Sequence, residues 1–89
     1  MERKTVTIIN KLGLHARAAA KLVALSSRYS SELKIIKQDK SVNGKSIMGV
    51  MMLAASRGTE LELTAEGEDA TQMISDVSQL IADRFGEAE

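Results

Sequence analysis

The chain has 89 residues, of which 44% are hydrophobic and 27% charged, and its formal net charge is zero. This length allows one hydrophobic core, and this composition is typical of a folded domain. Zero net charge and the near absence of aromatic residues argue against binding to nucleic acid or an anionic membrane surface. The lack of cysteine excludes a disulfide framework, a thiol nucleophile and a cysteine-ligated metal.

No apolar run approaches the roughly 20 residues that span a bilayer, and residues 1–5 lack the apolar centre of a signal peptide. The sequence therefore predicts a cytoplasmic protein without membrane insertion.

The first predicted elements are a strand over Thr5–Asn10 and a helix from Ala16 to about Arg28. The strand is rich in β-branched residues and places Val6 and Ile8 on one face. Gly13 supplies backbone freedom in the loop between the two elements. Residues at helical spacing form the predicted buried face of the helix: Ala16, Ala19, Ala20, Leu22, Val23, Leu25 and Ser27.

The middle of the chain predicts a β-hairpin and a second helix. Strands over Glu32–Lys37 and Ser41–Asn43 are separated by a turn at residues 38–40. A helix rich in methionine and alanine follows from Ser46 to about Ser56. Gly58 is the expected left-handed residue that stops this helix.

The last predicted elements are an alternating strand over Thr59–Glu66 and a helix that ends at Gly86. Asp69 and Gln72 have the spacing of a capping box at the start of this helix. Residues 87–89 are expected to fray. The predicted apolar face of the helix consists of Ala70, Met73, Ile74, Val77, Leu80, Ile81 and Phe85.

The element order β-α-β-β-α-β-α predicts an α+β fold. Four strands with one apolar face and three amphipathic helices combine most economically as an open-faced β-sandwich. In that arrangement the helices cover one face of a four-stranded, mainly antiparallel sheet. No repeat, low-complexity tract or linker interrupts the pattern. We therefore expect a single domain over residues 1–89.

The only histidine, His15, precedes the first helix at a position where the other two helices have the natural N-caps Ser46 and Asp69. The uncapped backbone N–H groups and the helix dipole favour an anion at this helix start, and the Arg17 guanidinium suits phosphate oxygens. Both positive features disfavour imidazolium, so His15 is expected to be a neutral nucleophile. The hypothesis is that it accepts a phosphoryl group. The alternative is an ordinary surface or half-buried histidine, which is the commoner case.

Two segments carry a resemblance to one family. Residues 10–19, NKLGLHARAA, resemble the Gly-Leu-His-Ala-Arg-Pro-Ala signature of HPr. HPr is the histidine-containing phosphocarrier of the bacterial phosphoenolpyruvate-dependent phosphotransferase system. Residues 42–55, VNGKSIMGVMMLAA, are similar to the second signature of the family, around its regulatory serine. The resemblance extends over essentially the whole chain and includes the order of the elements.

The resemblance implies a phosphoryl carrier that is not itself a turnover enzyme. His15 would take phosphate on Nδ1 from the phosphohistidine of enzyme I and pass it to an enzyme IIA protein, with Arg17 steadying the phosphate. The backbone N–H groups of Ala16, Arg17 and Ala18 would bind phosphate oxygens. Ala18 stands where the family usually has proline. The alanine keeps the helix and adds its backbone N–H as a donor, but it makes the loop less rigid than a proline would. No metal or cofactor is implied, because one histidine offers no cluster of ligands.

The second signature implies that Ser46 is a regulatory phosphorylation site for an HPr kinase/phosphorylase. A serine at this place is by itself no more than an N-cap. In the family the first two helices form the docking surface for enzyme I and enzyme IIA. The residues assigned here to that surface are Ala20, Ile47, Met48 and Met51, with Met48 the best candidate for an exposed contact. Ile47 and Val50, with Met51 or Leu53, are also expected to face the sheet.

Several functions remain open at this stage. The carrier could serve sugar uptake or the nitrogen-related branch of the system, and the site does not separate the two. A purely regulatory module acting through Ser46 is disfavoured because His15 is present. A nucleic-acid-binding or metal-binding ferredoxin-like domain is disfavoured by the composition. The chain is expected to be a monomer.

Overall fold

The computed structural model describes residues 1–89. One layer of the fold is a four-stranded sheet with the strand order β1-β4-β2-β3, in which every neighbouring pair is antiparallel. The central strand β4 turns Leu61, Leu63 and Ala65 into the core, as its alternating pattern predicts. The strands are β1 (Glu2–Thr7), β2 (Glu32–Lys37), β3 (Lys40–Asn43) and β4 (Glu60–Glu66).

Helices form the second layer, and a cluster of 19 buried residues fills the space between the layers. The helices are α1 (Ala16–Ser26), α2 (Ile47–Met52) and α3 (Ala70–Ala82), followed by a short 3-10 helix at Arg84–Gly86. The α+β open-faced sandwich predicted from the element order is confirmed, and the sheet is antiparallel throughout.

Strand β1 begins and ends three residues earlier than predicted. Its ladder with β4 runs from Glu2, opposite Ala65, to Thr7, opposite Glu60. The charged residues at its start give no burial signal because β1 lies at the edge of the sheet. Ile8 leaves the ladder, and its N–H donates to the Thr59 carbonyl at 2.9 Å. Val6 and Ile8, predicted to share one face, are half-buried and buried, so this face is the inward one.

Helix α1 presents a different face to the core than the alanine stripe predicts. Its buried residues are Ala18, Ala19, Leu22 and Ser26. The Ser26 hydroxyl donates to the Gly44 carbonyl at 2.8 Å, which fixes the rotation of the helix together with the fully buried Leu22. Three residues predicted to be buried are instead exposed: Ala16, Ala20 and Ser27.

Helix α2 ends four residues before the predicted end. Carbonyl groups just beyond it bond to other parts of the chain: the Lys37 ammonium donates to Leu53 O at 2.9 Å, and the Leu14 N–H donates to Ala55 O at 2.9 Å. These bonds pull the backbone out of the helix. The left-handed residue that follows the helix is Ala54, with φ +50°, and not Gly58.

The predicted capping box at the start of α3 is wrong. The Asp69 side chain makes no cap hydrogen bond. Its carboxylate instead accepts from the N–H of Ser30 at 3.0 Å, the N–H of Ser31 at 2.9 Å and the Ser31 hydroxyl. Gln72 donates to Asp76 at 2.9 Å and does not reach back to Asp69. Asp69 therefore ties the segment before β2 to α3.

Residues 87–89 were predicted to fray, but the structure holds them against the rest of the chain. Helix α3 ends at Ala82, and the chain then turns inward so that Phe85 is fully buried with a φ of +55°. The Lys21 ammonium donates to the Phe85 carbonyl at 2.6 Å, and the Lys11 N–H donates to the Glu89 carbonyl at 2.9 Å. These two bonds hold the segment against the start of α1.

Candidate functional site

The loop that carries His15 is fixed by a close backbone approach at Gly13. Gly13 has a φ of +68°, and a Cβ built there would lie 2.5 Å from the Ala55 carbonyl oxygen. The next residue, Leu14, donates its N–H to the same oxygen at 2.9 Å. The glycine therefore supplies both a left-handed conformation and the absence of a side chain. The loop is thereby held against the segment that follows α2.

The start of α1 has no side-chain cap, as predicted. His15 occupies the cap position in an extended conformation, and the first amide bonded to it is Ala19 N–H, which donates to the His15 carbonyl at 2.9 Å. The N–H groups of Ala16, Arg17 and Ala18 have no acceptor in the chain. Such a group of free donors at the positive end of a helix dipole suits an anion.

The missing side-chain cap is not unique to α1, contrary to the prediction. Of the three helices, only α2 has a side-chain cap bond, from Ser46 to the Gly49 N–H. Asp69 nevertheless occupies the cap position of α3, so that helix start already has an anionic residue. No acidic residue occupies the cap position or the first turn of α1. The starts of α1 and α3 thus differ in the residue at the cap position and not in side-chain capping.

His15 and Arg17 line one shallow pocket that is open to solvent. The His15 side chain is 28% exposed, and Arg17 is exposed and makes no ion pair with a carboxylate of the chain. The pocket contains charges of both signs, because two glutamates lie beside the cations. Its lining residues are Lys11, Leu12, His15, Ala16, Arg17, Glu87, Ala88 and Glu89.

The carboxylate of Glu87 contacts the His15 ring, which the sequence analysis missed. Its Oε2 faces Nε2 of His15, and its Oε1 accepts from Nδ2 of Asn10 at 3.0 Å. The bond from Asn10, followed by that to His15, lowers the pKa of the Glu87 carboxyl below its ordinary value. The carboxyl is therefore ionised at neutral pH, and Nδ1 of His15 is left without a partner in the chain. Glu87 is 72 positions from His15, and no local pattern signals the contact.

Ser46 and the predicted docking residues lie outside this pocket, on α2 and the outer side of α1. The Ser46 hydroxyl accepts from the Gly49 N–H at 3.1 Å, and the side chain is half-buried. Ala20 is exposed. The core contacts of α2 come from Val50 and Leu53, so the expectation that Ile47 faces the sheet is wrong. Large apolar side chains are exposed at Leu12, Ile47, Met48, Met51 and Met52, and of these Leu12 was not singled out from the sequence.

Two further structural findings concern metals and membranes. No group of three or more His, Cys, Asp or Glu side chains is arranged to hold a metal ion. None of the helices is both long and apolar enough to cross a membrane.

The fold and the histidine at an uncapped helix start define a small α+β domain with a candidate anion-binding site. The family profile described as "PTS HPr component phosphorylation site" matches residues 2–83. The chain belongs to this family, the HPr phosphocarriers of the phosphotransferase system. Members of this family carry a phosphoryl group and are not catalysts with a turnover of their own.

Known proteins resemble the chain in sequence and in structure. It is 48% identical to phosphocarrier protein HPr of Neisseria meningitidis over 89 residues, with both chains fully covered. A crystal structure of HPr-C-His from Thermoanaerobacter tengcongensis superposes with a TM-score of 0.96 at 45% identity and covers both chains fully. A crystal structure of an HPr dimer from the same organism gives a TM-score of 0.79 at 46% identity and covers 98% of this chain and 100% of the other.

Proposed function

We propose that His15 is the phosphoryl acceptor of this phosphocarrier, that enzyme I is the donor and that an enzyme IIA protein is the acceptor. The observation that carries the proposal is the position of His15 beside three backbone N–H groups that have no acceptor in the chain. Residues 1–89 would act as one phosphocarrier domain, as a monomer in the cytoplasm.

The geometry of the helix start supports transfer to Nδ1. Nε2 of His15 is engaged by Glu87, whereas Nδ1 has no partner in the chain. A phosphoryl group on Nδ1 would be a dianion, and free N–H donors at the helix start would bind its oxygens. The Arg17 guanidinium is available at the same pocket to bind the remaining charge. Ala18 adds a third free N–H, which a proline at this position would not have.

We also propose Ser46 as a second, regulatory phosphorylation site, acted on by an HPr kinase/phosphorylase. The support is the resemblance of residues 42–55 to the second family signature, together with the apolar surface beside Ser46. A phosphate at Ser46 would place a dianion next to Ile47 and Met48, which are 43% and 72% exposed. A partner that covers this apolar surface would then have to desolvate the charge.

The docking surface that we propose consists of Ala20, Ile47, Met48, Met51 and Met52. Its support is the exposure of these residues on two helices that pack against each other. Exposed methionines adapt their shape to different partners, which suits a carrier that must bind both a donor and an acceptor.

Incubation with phosphoenolpyruvate and enzyme I tests the role of His15. We expect one phosphoryl group per chain, labile in acid and stable in base, and its loss in His15→Ala. Incubation with ATP and an HPr kinase should give an acid-stable adduct that is lost in Ser46→Ala. An unmodified mass after incubation with enzyme I would contradict the proposal for His15. Subsequent transfer to a sugar-type or a nitrogen-type IIA protein distinguishes the two branches.

A further inference from the structure

Asn10 and His15, both in the loop before α1, are joined by Glu87, near the other end of the chain, in a line of hydrogen bonds. Asn10, which is fully buried, donates from Nδ2 to Glu87 Oε1 at 3.0 Å. The other carboxylate oxygen of Glu87 contacts Nε2 of His15. The line therefore runs from a buried amide, through a carboxylate, to the imidazole.

The orientation of the Asn10 amide is fixed by two acceptors. Its Nδ2 also donates to the Gly13 carbonyl at 2.8 Å, whereas its Oδ1 has no partner in the chain. Reversal of the amide would turn its oxygen toward the Gly13 carbonyl and the Glu87 carboxylate. Both bonds would be lost, because a carbonyl and an ionised carboxylate can only accept. Glu87 therefore always meets a donor on the Asn10 side.

The protonation of the His15 ring follows from this line of bonds. An ionised carboxylate accepts hydrogen bonds and donates none. Nε2 of His15 must therefore carry the proton that Glu87 accepts, and the lone pair of the neutral ring is on Nδ1. A carboxylate bonded to one imidazole nitrogen fixes the tautomer of the ring in this way.

We infer that Glu87 is a positioning residue for phosphoryl transfer: it holds neutral His15 as the Nε2–H tautomer and stabilises the positive charge that the ring gains on reaction. The inference rests on the proposed function, in which Nδ1 is the acceptor. In that step the Nδ1 lone pair forms a bond to phosphorus, and the bond from phosphorus to the donor nitrogen breaks. The electron pair of the broken bond stays on the donor, and the proton on Nε2 stays between His15 and Glu87.

The segment that carries Glu87 is anchored on both sides of it. The Phe85 carbonyl accepts from Lys21 at 2.6 Å, and the Glu89 carbonyl accepts from the Lys11 N–H at 2.9 Å. Glu87 lies outside the residues 2–83 that match the family profile. Its carboxylate is held by Asn10 on one oxygen and faces Nε2 of His15 with the other.

Glu87→Gln is the decisive variant because the amide is isosteric but has one acceptor and one donor end. The fixed Asn10 donor attracts the amide oxygen, so the NH₂ group faces His15 and forces Nε2 to accept. We expect the tautomer to change to Nδ1–H, which removes the nucleophilic lone pair. Phosphorylation by enzyme I should slow about tenfold. Glu87→Ala, which enforces neither tautomer, should be slowed less than Glu87→Gln.

The tautomer is measured on ¹⁵N-labelled, unphosphorylated chain by long-range ¹H–¹⁵N correlations of His15 at a pH where the ring is neutral. Glu68→Gln is the control, since it makes the same substitution at an exposed position outside the pocket, and it should keep the wild-type tautomer and rate. A Glu87→Gln chain that keeps Nε2–H, or that is phosphorylated at the wild-type rate, would overturn the inference. Faster phosphorylation of Glu87→Ala would also overturn it, because Glu87 would then obstruct the site.

A wild-type chain that shows the Nε2–H tautomer but takes no phosphate would support the role of Glu87 in fixing the tautomer and contradict the proposed function alone.

Discussion

Single residues decide how the histidine is presented. His15 has its backbone at a helix start and its ring against a carboxylate, and its exposed edge faces an open pocket. Gly13 makes this arrangement possible, because any residue type with a Cβ at this position would collide with the Ala55 carbonyl. The rigidity of the site therefore depends on a residue that has no chemistry of its own.

Gly13→Ala tests this dependence against a second left-handed glycine. At Gly13 the new Cβ would meet the Ala55 oxygen at 2.5 Å, whereas at Gly58, with φ +89°, nothing lies within 4 Å of it. We expect Gly58→Ala to lower the free energy of unfolding by about 1 kcal/mol, from backbone strain alone. Gly13→Ala should cost about 3 kcal/mol or more, because steric overlap is added. Urea denaturation measures both variants, and equal costs would show that the approach to Ala55 does not matter.

At the scale of the element, α2 is a short helix with a small core face and a large exposed apolar face. Only Val50 within it is buried, whereas Met48 and Met52 are 72% and 70% exposed. A helix of six residues has little stability of its own. The Ser46 cap and the contacts of Val50 and Leu53 hold it in place. Its exposed methionines are free to contact another protein.

Met48→Asp tests whether this face is the docking surface. The substitution removes an exposed apolar side chain and adds a charge that a partner would have to desolvate. We expect about tenfold weaker binding to enzyme I, measured by titration calorimetry, with little change in the free energy of unfolding. Ser75→Asp, at an exposed position of α3, is the control and should bind as the wild type does. Equal affinities of the two variants would place the docking surface elsewhere.

At the scale of the whole molecule, two sets of hydrogen bonds join segments that are far apart in the sequence. One joins residues 87–89 to the start of α1, and the other joins Asp69 to the segment before β2. The hydrogen bond from the Ser31 hydroxyl, followed by that from the Ser30 N–H, lowers the pKa of Asp69 from 3.8 to about 2. Because the folded state favours the carboxylate, this connection makes stability depend on pH.

Asp69→Asn should therefore destabilise the protein in a manner that depends on pH. The pKa of Asp69 is lower in the folded chain, so its contribution is fully present above pH 3.8 and is lost as the pH falls toward 2. We expect the difference in unfolding free energy between wild type and variant to be largest near neutral pH and to shrink over that interval. Urea denaturation at a series of pH values measures it. Asp39→Asn, at an exposed turn residue, is the control, and a difference for Asp69→Asn that stays constant with pH would contradict the assignment.

The sequence by itself determined the order of the elements, the inward face of β4 and α3 and the uncapped start of α1. These features are local, since they depend on side-chain periodicity and on which residue precedes a helix. Ser46 as the cap of α2 was predicted for the same reason, and the structure confirms it.

Only the tertiary structure decided which groups meet across the chain. Asp69 has the spacing of a cap, yet its carboxylate turns to Ser30 and Ser31, whose two backbone N–H groups and Ser31 hydroxyl donate to it. The face of α1 follows the anchor of Ser26 on Gly44 and not the alanine stripe. Residues 87–89 look like a frayed end in sequence, but burial of Phe85 brings Glu87 to His15. A contact between residues 72 positions apart arises from packing, and no local pattern encodes it.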